Sequence, residues 1–225
     1  MSLERGLIPR KGYLFVVAAA IMWAVSGTSG KFLFNQGVTP FQLVQLRVTL
    51  SAALLFILLL ARRALLEISL RDIPYFALLG ISGLAMVMFT YFYAISKINV
   101  AVAVLLEYLA PVFIALFYGI TAPEKLTRVT LAAAVLSVFG CYLAVGAFNV
   151  DFLVLNWQGI VAGVFSGLSY AWYAIYGERG MRRYDPRTVV FYAFLFASLF
   201  WNLALTPFGS LFLERLFLLD STIWE

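Results

Sequence analysis

Histidine is absent from the 225 residues, and cysteine occurs once. Without histidine there is no imidazole base and no imidazole metal ligand. The lone Cys141 can neither close an intrachain disulfide nor build a cysteine-rich metal site. No catalytic residue, metal or cofactor is therefore expected. Charge is scarce as well. Asp, Glu, Lys and Arg make up 12% of the chain, against roughly 25% in an average soluble domain. That shortage excludes a soluble globular enzyme and a disordered chain.

What fills the chain is apolar. Hydrophobic residues account for 64% and aromatics for 17%, and the mean hydropathy is +0.96. A membrane-spanning helix needs about 20 apolar residues, so the inventory suffices for about seven spans. The apolar runs are continuous rather than alternating, which excludes an outer-membrane barrel. The expected class is an all-α membrane protein, an antiparallel helical bundle with the lipid bilayer as its first partner.

Hydropathy places the spans at 13–33, 41–61, 73–95, 99–121, 126–145, 158–176 and 188–206. Short connections make successive helices antiparallel neighbours. The first apolar stretch is too long for a signal-peptide core and is read as a retained span. Twelve of the 16 Lys and Arg fall on one side: Arg5, Arg10, Lys11, Arg62, Arg63, Arg71, Lys125, Arg128, Arg179, Arg182, Arg183 and Arg187. By the positive-inside rule this side, with the N-terminus, is cytoplasmic. The +5 net charge is thus a topology signal, and nucleic acid is not expected as a partner. The tail from Pro207 is too short to span again.

The chain partly repeats itself. At a shift of 147, Gly12 meets Gly159, Val17 meets Val164, Trp23 meets Tyr170 and Ala24 meets Ala171. At a shift of 146, Thr39-Pro40 meets Asp185-Pro186, and both pairs suit an N-cap followed by proline at N1. Five spans separate the copies. The second copy therefore starts from the opposite side, as in the inverted repeats of secondary transporters. Residues 1–146 form the first repeat of five helices, and 147–225 an incomplete second repeat of two helices plus tail. A complete second copy would end near residue 290, so the chain is read as part of a ten-span protein with about seven helices present.

Several intramembrane features stand out. Glu107 lies about 12 Å into the fourth span at 1.5 Å per residue, and a carboxylate there usually faces the bundle or a cavity. Pro111, four residues on, removes the N–H that would bond the Glu107 carbonyl. Together they suit a proton, an organic cation or a simple fastening between helices. Arg47 lies about 9 Å deep on its own helix and is expected to pair with Glu107 or line a cavity, the alternative being to snorkel outward. Lys31 is nearer the surface and is expected to snorkel. Trp23 and Tyr170 occupy matched depths and suit either plain packing or the flanks of an organic substrate. Gly159, Gly163 and Gly167 repeat the G-x-x-x-G spacing that lets helix backbones approach. The basic run from Arg179 to Arg187 is read as a topology determinant that contacts lipid headgroups.

Further residues carry a family resemblance. They are Gly12, Trp23, Gly30-Lys31, Pro40 and Arg47; Tyr91, Tyr93-Ala94 and Ala101-Val102-Ala103; and the run Leu105-Leu106-Glu107-Tyr108-Leu109-Ala110-Pro111. Glu124, followed by Lys125-Leu126-Thr127, and Gly140 extend the match. In order and spacing they resemble the drug/metabolite transporter superfamily, in its EamA-type, ten-helix branch. The resemblance covers 12–145 well and 159–207 as a partial second repeat; helices eight to ten, which help line the family's substrate cavity, are missing. It implies a secondary transporter, an exporter of small organic metabolites, drugs or amino acids, in the plasma membrane. Protons are the implied coupling ion, and a homodimer is an open assembly state. The implied binding or coupling set is Glu107, Arg47, Trp23, Tyr91, Tyr170 and Pro111. Two alternatives stand beside it: a truncated half-bundle that assembles with another subunit, and a small-headgroup lipid flippase of the same superfamily.

Overall fold

The computed structural model describes residues 10–121, 127–145 and 157–204, and every regular element in them is helical. The elements are α1 (Arg10–Asn35), α2 (Pro40–Leu60), two short 3-10 turns (Arg63–Leu66 and Leu70–Asp72), α3 (Ile73–Leu78), a π-helical segment (Leu79–Ala85), α4 (Met86–Lys97), α5 (Val100–Glu107), α6 (Ala110–Thr121), α7 (Arg128–Val145), α8 (Trp157–Met181) and α9 (Pro186–Ala204). Among the described residues, five helices are long and apolar enough to cross a membrane: Tyr13–Asn35, Pro40–Leu60, Leu70–Lys97, Val100–Thr121 and Trp157–Met181. They coincide with the first four expected spans and the sixth. The fifth and seventh expected spans correspond to α7 and α9, of 18 and 19 residues. Glu124, Lys125 and the tail from Pro207 lie outside the described residues.

Local chemistry accounts for the helix ends. The turn between α1 and α2 closes as a Schellman motif. Val38 N–H bonds Leu33 O at 3.1 Å and Gly37 N–H bonds Phe34 O at 3.0 Å. Gly37 supplies the required left-handed backbone at φ 87°. Thr39 then caps α2 reciprocally: Gln42 N–H donates to Thr39 Oγ1 at 3.3 Å, and Thr39 N–H donates to Gln42 Oε1 at 3.0 Å. Asn99 caps α5 through Ala101 N–H at 2.9 Å. Asp185 accepts from Arg187 N–H at 2.8 Å at the start of α9. The two Xaa-Pro pairs singled out in the sequence both begin helices.

α8 is the centre of the packing. It lies against α4 along most of its length, then against α5, α6 and the π segment, while α9 packs on α2 and the π segment. Phe76, Leu79, Phe92, Ile95, Val44, Val48 and Val189 form the fully buried core. α1 is held more lightly, against α4 and α5. The exteriors of α1 and α2 carry exposed Leu14, Phe15, Met22, Leu46, Leu54, Ile57 and Leu58. Contiguous apolar surface of this kind is costly in water and matched by hydrocarbon, which makes this a multi-pass membrane protein.

Lys31 departs from the expected outward snorkel. Its Nζ donates to the carbonyls of Ile95 at 2.7 Å, Ile98 at 3.2 Å and Ser96 at 3.4 Å. The last carbonyls of α4 have no helical partner and carry negative partial charge, so an ammonium within reach binds them in preference to the interface.

Candidate functional site

Glu107 closes α5 and is 2% exposed. Ser166 on α8 donates its hydroxyl to Oε1 at 3.1 Å. The other oxygen, Oε2, is buried with no hydrogen-bond partner among the described residues. The helix stops here because Pro111 cannot bond back to residue 107. Tyr108 N–H turns to Val104 O at 3.0 Å, Leu109 N–H bonds Leu106 O at 3.2 Å, and the chain resumes as α6 at Ala110. The carbonyls of Leu106 and Glu107 face Gly167 of α8. A Cβ added at Gly167 would lie 2.8 Å from Leu106 O and 3.1 Å from Glu107 O. A carboxylate with one free oxygen therefore sits at a helix break pressed against a second helix.

The neighbouring glycines follow the same line. Gly163 faces the Leu106 side chain, and a Cβ there would fall 2.6 Å from Leu106 Cδ1. Gly159 faces Ile98 and Lys97. On α1, Gly27 and Gly30 seat two aromatics of α4: their added Cβ atoms would lie 3.0 Å from the Tyr91 hydroxyl and 2.7 Å from the Phe92 ring.

Four more of the singled-out residues gather round Glu107. Tyr91 is 4% exposed; its hydroxyl stands beside Trp23 but makes no hydrogen bond of normal geometry. Tyr91 and Tyr170 both lie within electrostatic range of Glu107. Trp23 meets Tyr170 edge-on, with ring centroids 6.4 Å apart at 68°. Arg47 is half-buried on α2 and also feels Glu107.

The expected Arg47–Glu107 ion pair is not made. Arg47 Nη1 donates to Ser26 Oγ on α1, and the guanidinium lies over the Phe92 ring at 5.2 Å. Among the described residues the ion pairs are Arg182–Glu178 and Arg183–Asp72. The physical reason is the close seating of α1: Gly27 and Gly30 bring Ser26 and Phe92 within Arg47's reach, and Ser166 serves one Glu107 oxygen from the far side. With no direct contact, the destabilisations from Arg47→Ala and Glu107→Ala are expected to add within about 0.5 kcal/mol. A thermal-melt cycle checks this, and a larger coupling would mean that the two side chains touch.

Ser26 and Ser166 are the polar residues of the site that the sequence did not flag. Ser166 lies inside the small-residue stripe of α8 and Ser26 on the small-residue face of α1, where serine reads as packing. A separate hollow of about 660 Å³ lies between α6 and α7. Val112, Leu116, Val135, Val138 and Phe139 line it, with no charged side chain among the described residues.

Comparison with known proteins agrees with this architecture. The chain is similar to an uncharacterized inner membrane transporter, YicL, of Salmonella typhimurium: 25% identity over 194 residues, covering 84% of this chain and 65% of the relative. An uncharacterized transporter of Archaeoglobus fulgidus is 30% identical over 187 residues, covering 81% and 62%. The pseudopaline exporter CntI of Pseudomonas aeruginosa is 25% identical over 205 residues, covering 88% and 69%. The chain thus spans somewhat less than two thirds of the first two relatives. No solved structure matches it. The model of the EamA-like transporter family matches residues 10–146, more than half of the chain, and the chain belongs to that family.

Proposed function

We propose that this chain forms the larger part of a secondary transporter that exports a small organic metabolite, drug or amino acid by alternating access. Glu107 acts as the coupling carboxylate and proton carrier. The two inverted repeats, residues 1–146 and 147–225, move against each other about α8. The observation that carries the reading is the buried, half-satisfied carboxylate at the helix break between α5 and α6. Intramembrane carboxylates are expensive and mark ion or proton pathways, and broken helices mark transporter binding sites. Trp23, Tyr91 and Tyr170 supply aromatic faces for the apolar part of a substrate, and Arg47 supplies a fixed positive charge. A relative named as an exporter of pseudopaline supports the outward direction and an organic substrate. The chain's N-terminus lies on the cytoplasmic side, on the charge asymmetry of its loops, and the plasma membrane is the setting proposed for it.

The test is flux in proteoliposomes made with the full-length protein under an imposed pH gradient. Wild-type flux of a mixed panel of amino acids and small drugs should depend on pH. Glu107→Gln should abolish the flux or remove its pH dependence. Unchanged, still pH-dependent flux in that variant would take Glu107 out of the mechanism.

A further inference from the structure

The hollow of about 660 Å³ between α6 and α7 is lined by none of the residues gathered round Glu107. It follows α6 from Val112 to Ile120, about 12 Å at 1.5 Å per residue. Ala115 and Gly119 on α6 and Ala134 on α7 give it depth. Its wall is apolar, and among the described lining residues only Tyr142 carries a polar side-chain atom. Leu116, Ile120, Val135 and Phe139 are exposed on its rim, so it opens sideways, where hydrocarbon surrounds the bundle. An apolar cavity of about 150 Å³ stays dry and takes a benzene ring. The α6–α7 hollow has room for an acyl chain.

α6 separates this hollow from a polar one of about 340 Å³ at the end of the bundle read as cytoplasmic. The last turns of α6 border both. Leu116, Gly119 and Ile120 face the apolar side, and Phe117, Tyr118 and Thr121 the polar side. Glu178 and Arg179 of α8, and Arg182 just beyond it, complete the polar wall.

The charges of that wall are unequally committed. Glu178 is engaged on both carboxylate oxygens: Arg182 Nη2 donates to Oε1 and the Tyr118 hydroxyl to Oε2, each at 2.9 Å. Arg183 is held by Asp72 at 3.0 Å. Arg179 has no ion pair among the described residues, and its guanidinium lies over the Tyr176 ring at 5.8 Å. Three arginines against two carboxylates leave one positive charge in excess, at Arg179. A guanidinium resting on an aromatic face keeps the N–H donors of its edge, and their fork matches a phosphate. Basic pockets between spanning helices on the cytoplasmic side suit anionic headgroups. One helix width, about 10 Å, divides the two hollows. The glycerol and first methylenes of a phospholipid bridge that distance past the exposed end of α6.

We propose that this is a site for one anionic phospholipid of the cytoplasmic leaflet, with its phosphate at Arg179 and one acyl chain in the α6–α7 hollow. The site stands whether or not the chain transports. The test is native mass spectrometry of the full-length protein, purified in detergent and stripped of lipid. Phosphatidylglycerol, phosphatidylcholine with the same chains, and glycerol phosphate are added in turn. One phosphatidylglycerol should be retained about fivefold more tightly than phosphatidylcholine, the effect of one arginine near an anionic headgroup. Glycerol phosphate, which has no tail, should not be retained. Arg179→Gln should remove the preference for phosphatidylglycerol, and Arg179→Lys should keep most of it. Ala134→Phe, which fills the hollow, should weaken retention of both lipids. Equal retention of the two lipids by the wild type, or an unchanged preference in Arg179→Gln, would overturn the phosphate seat. Glycerol phosphate held as tightly as the lipid would make this a free-phosphate site and overturn the lipid. Loss of folded Ala134→Phe, with unchanged lipid retention by the milder Ala134→Leu, would mean that another protein segment fills the hollow, and would overturn the acyl seat.

Discussion

Glu107→Leu should melt at a higher temperature than the wild type and carry no flux. The fold gains little from this carboxylate. One oxygen takes a single bond from Ser166, and the other is buried without a partner among the described residues. An unsatisfied buried polar group costs about 1–3 kcal/mol. Replacing a buried charge by an apolar residue of similar volume is often neutral or stabilising. The freed Ser166 hydroxyl can turn back to the carbonyl four residues earlier in its own helix. The net gain should be about 1–2 kcal/mol, or a rise of a few degrees for a chain of this size. A transporter that keeps a destabilising group at its centre keeps it for function, and loss of activity with a gain in stability is the expected signature. The paired measurement is a melt of the purified protein and a flux assay of the same preparation. A lower melting temperature would show that Glu107 is a structural fastener and would count against its coupling role.

Gly167→Val should cost more than any other single change at the site. Its Cβ would fall 2.8 Å from Leu106 O and 3.1 Å from Glu107 O. Both are backbone atoms in a segment fixed by the Pro111 break, so no rotamer change relieves the clash. α8 must retreat from α5 along the line that also holds Gly163 against Leu106, and the Ser166–Glu107 bond is lost. Overpacking of this kind costs about 1–3 kcal/mol and sometimes more. Little folded protein should be recovered from membranes. Gly140→Ala is the contrasting variant. A Cβ there meets nothing within 4 Å among the described residues, so the melting temperature should hold or rise slightly, since alanine is favoured over glycine inside a helix by about 0.5–1 kcal/mol. A Gly167→Val protein that melts with the wild type would refute the close approach of α8 to the break.

Much of this protein is determined within short stretches of chain. The spans follow from composition, because twenty apolar residues in a row have no soluble alternative. Thr39-Pro40, Asn99 and Asp185-Pro186 start helices because cap and N1 chemistry acts over three or four residues. Pro111 ends α5 for an equally local reason, the missing N–H. Glu107 stood out because a carboxylate in hydrocarbon is anomalous whatever its neighbours. Partner choice was decided elsewhere. Arg47 turns to Ser26, 21 residues away, and Glu107 to Ser166, 59 residues away. Lys31 reaches the end of α4, and Asp72 meets Arg183 across 111 residues. Each pairing depends on how helices are rotated and seated. One residue of rotation moves a side chain about 100° round a helix of 3.6 residues per turn. Apolar faces as uniform as these carry little periodic signal to set that rotation. Small residues set it instead: Gly27 and Gly30 seat α1 on α4, and Gly159, Gly163 and Gly167 seat α8 on α4 and α5. Residue chemistry alone dictates the helices, the membrane and the odd carboxylate; what each buried polar group touches follows from the packing of helices distant in the chain.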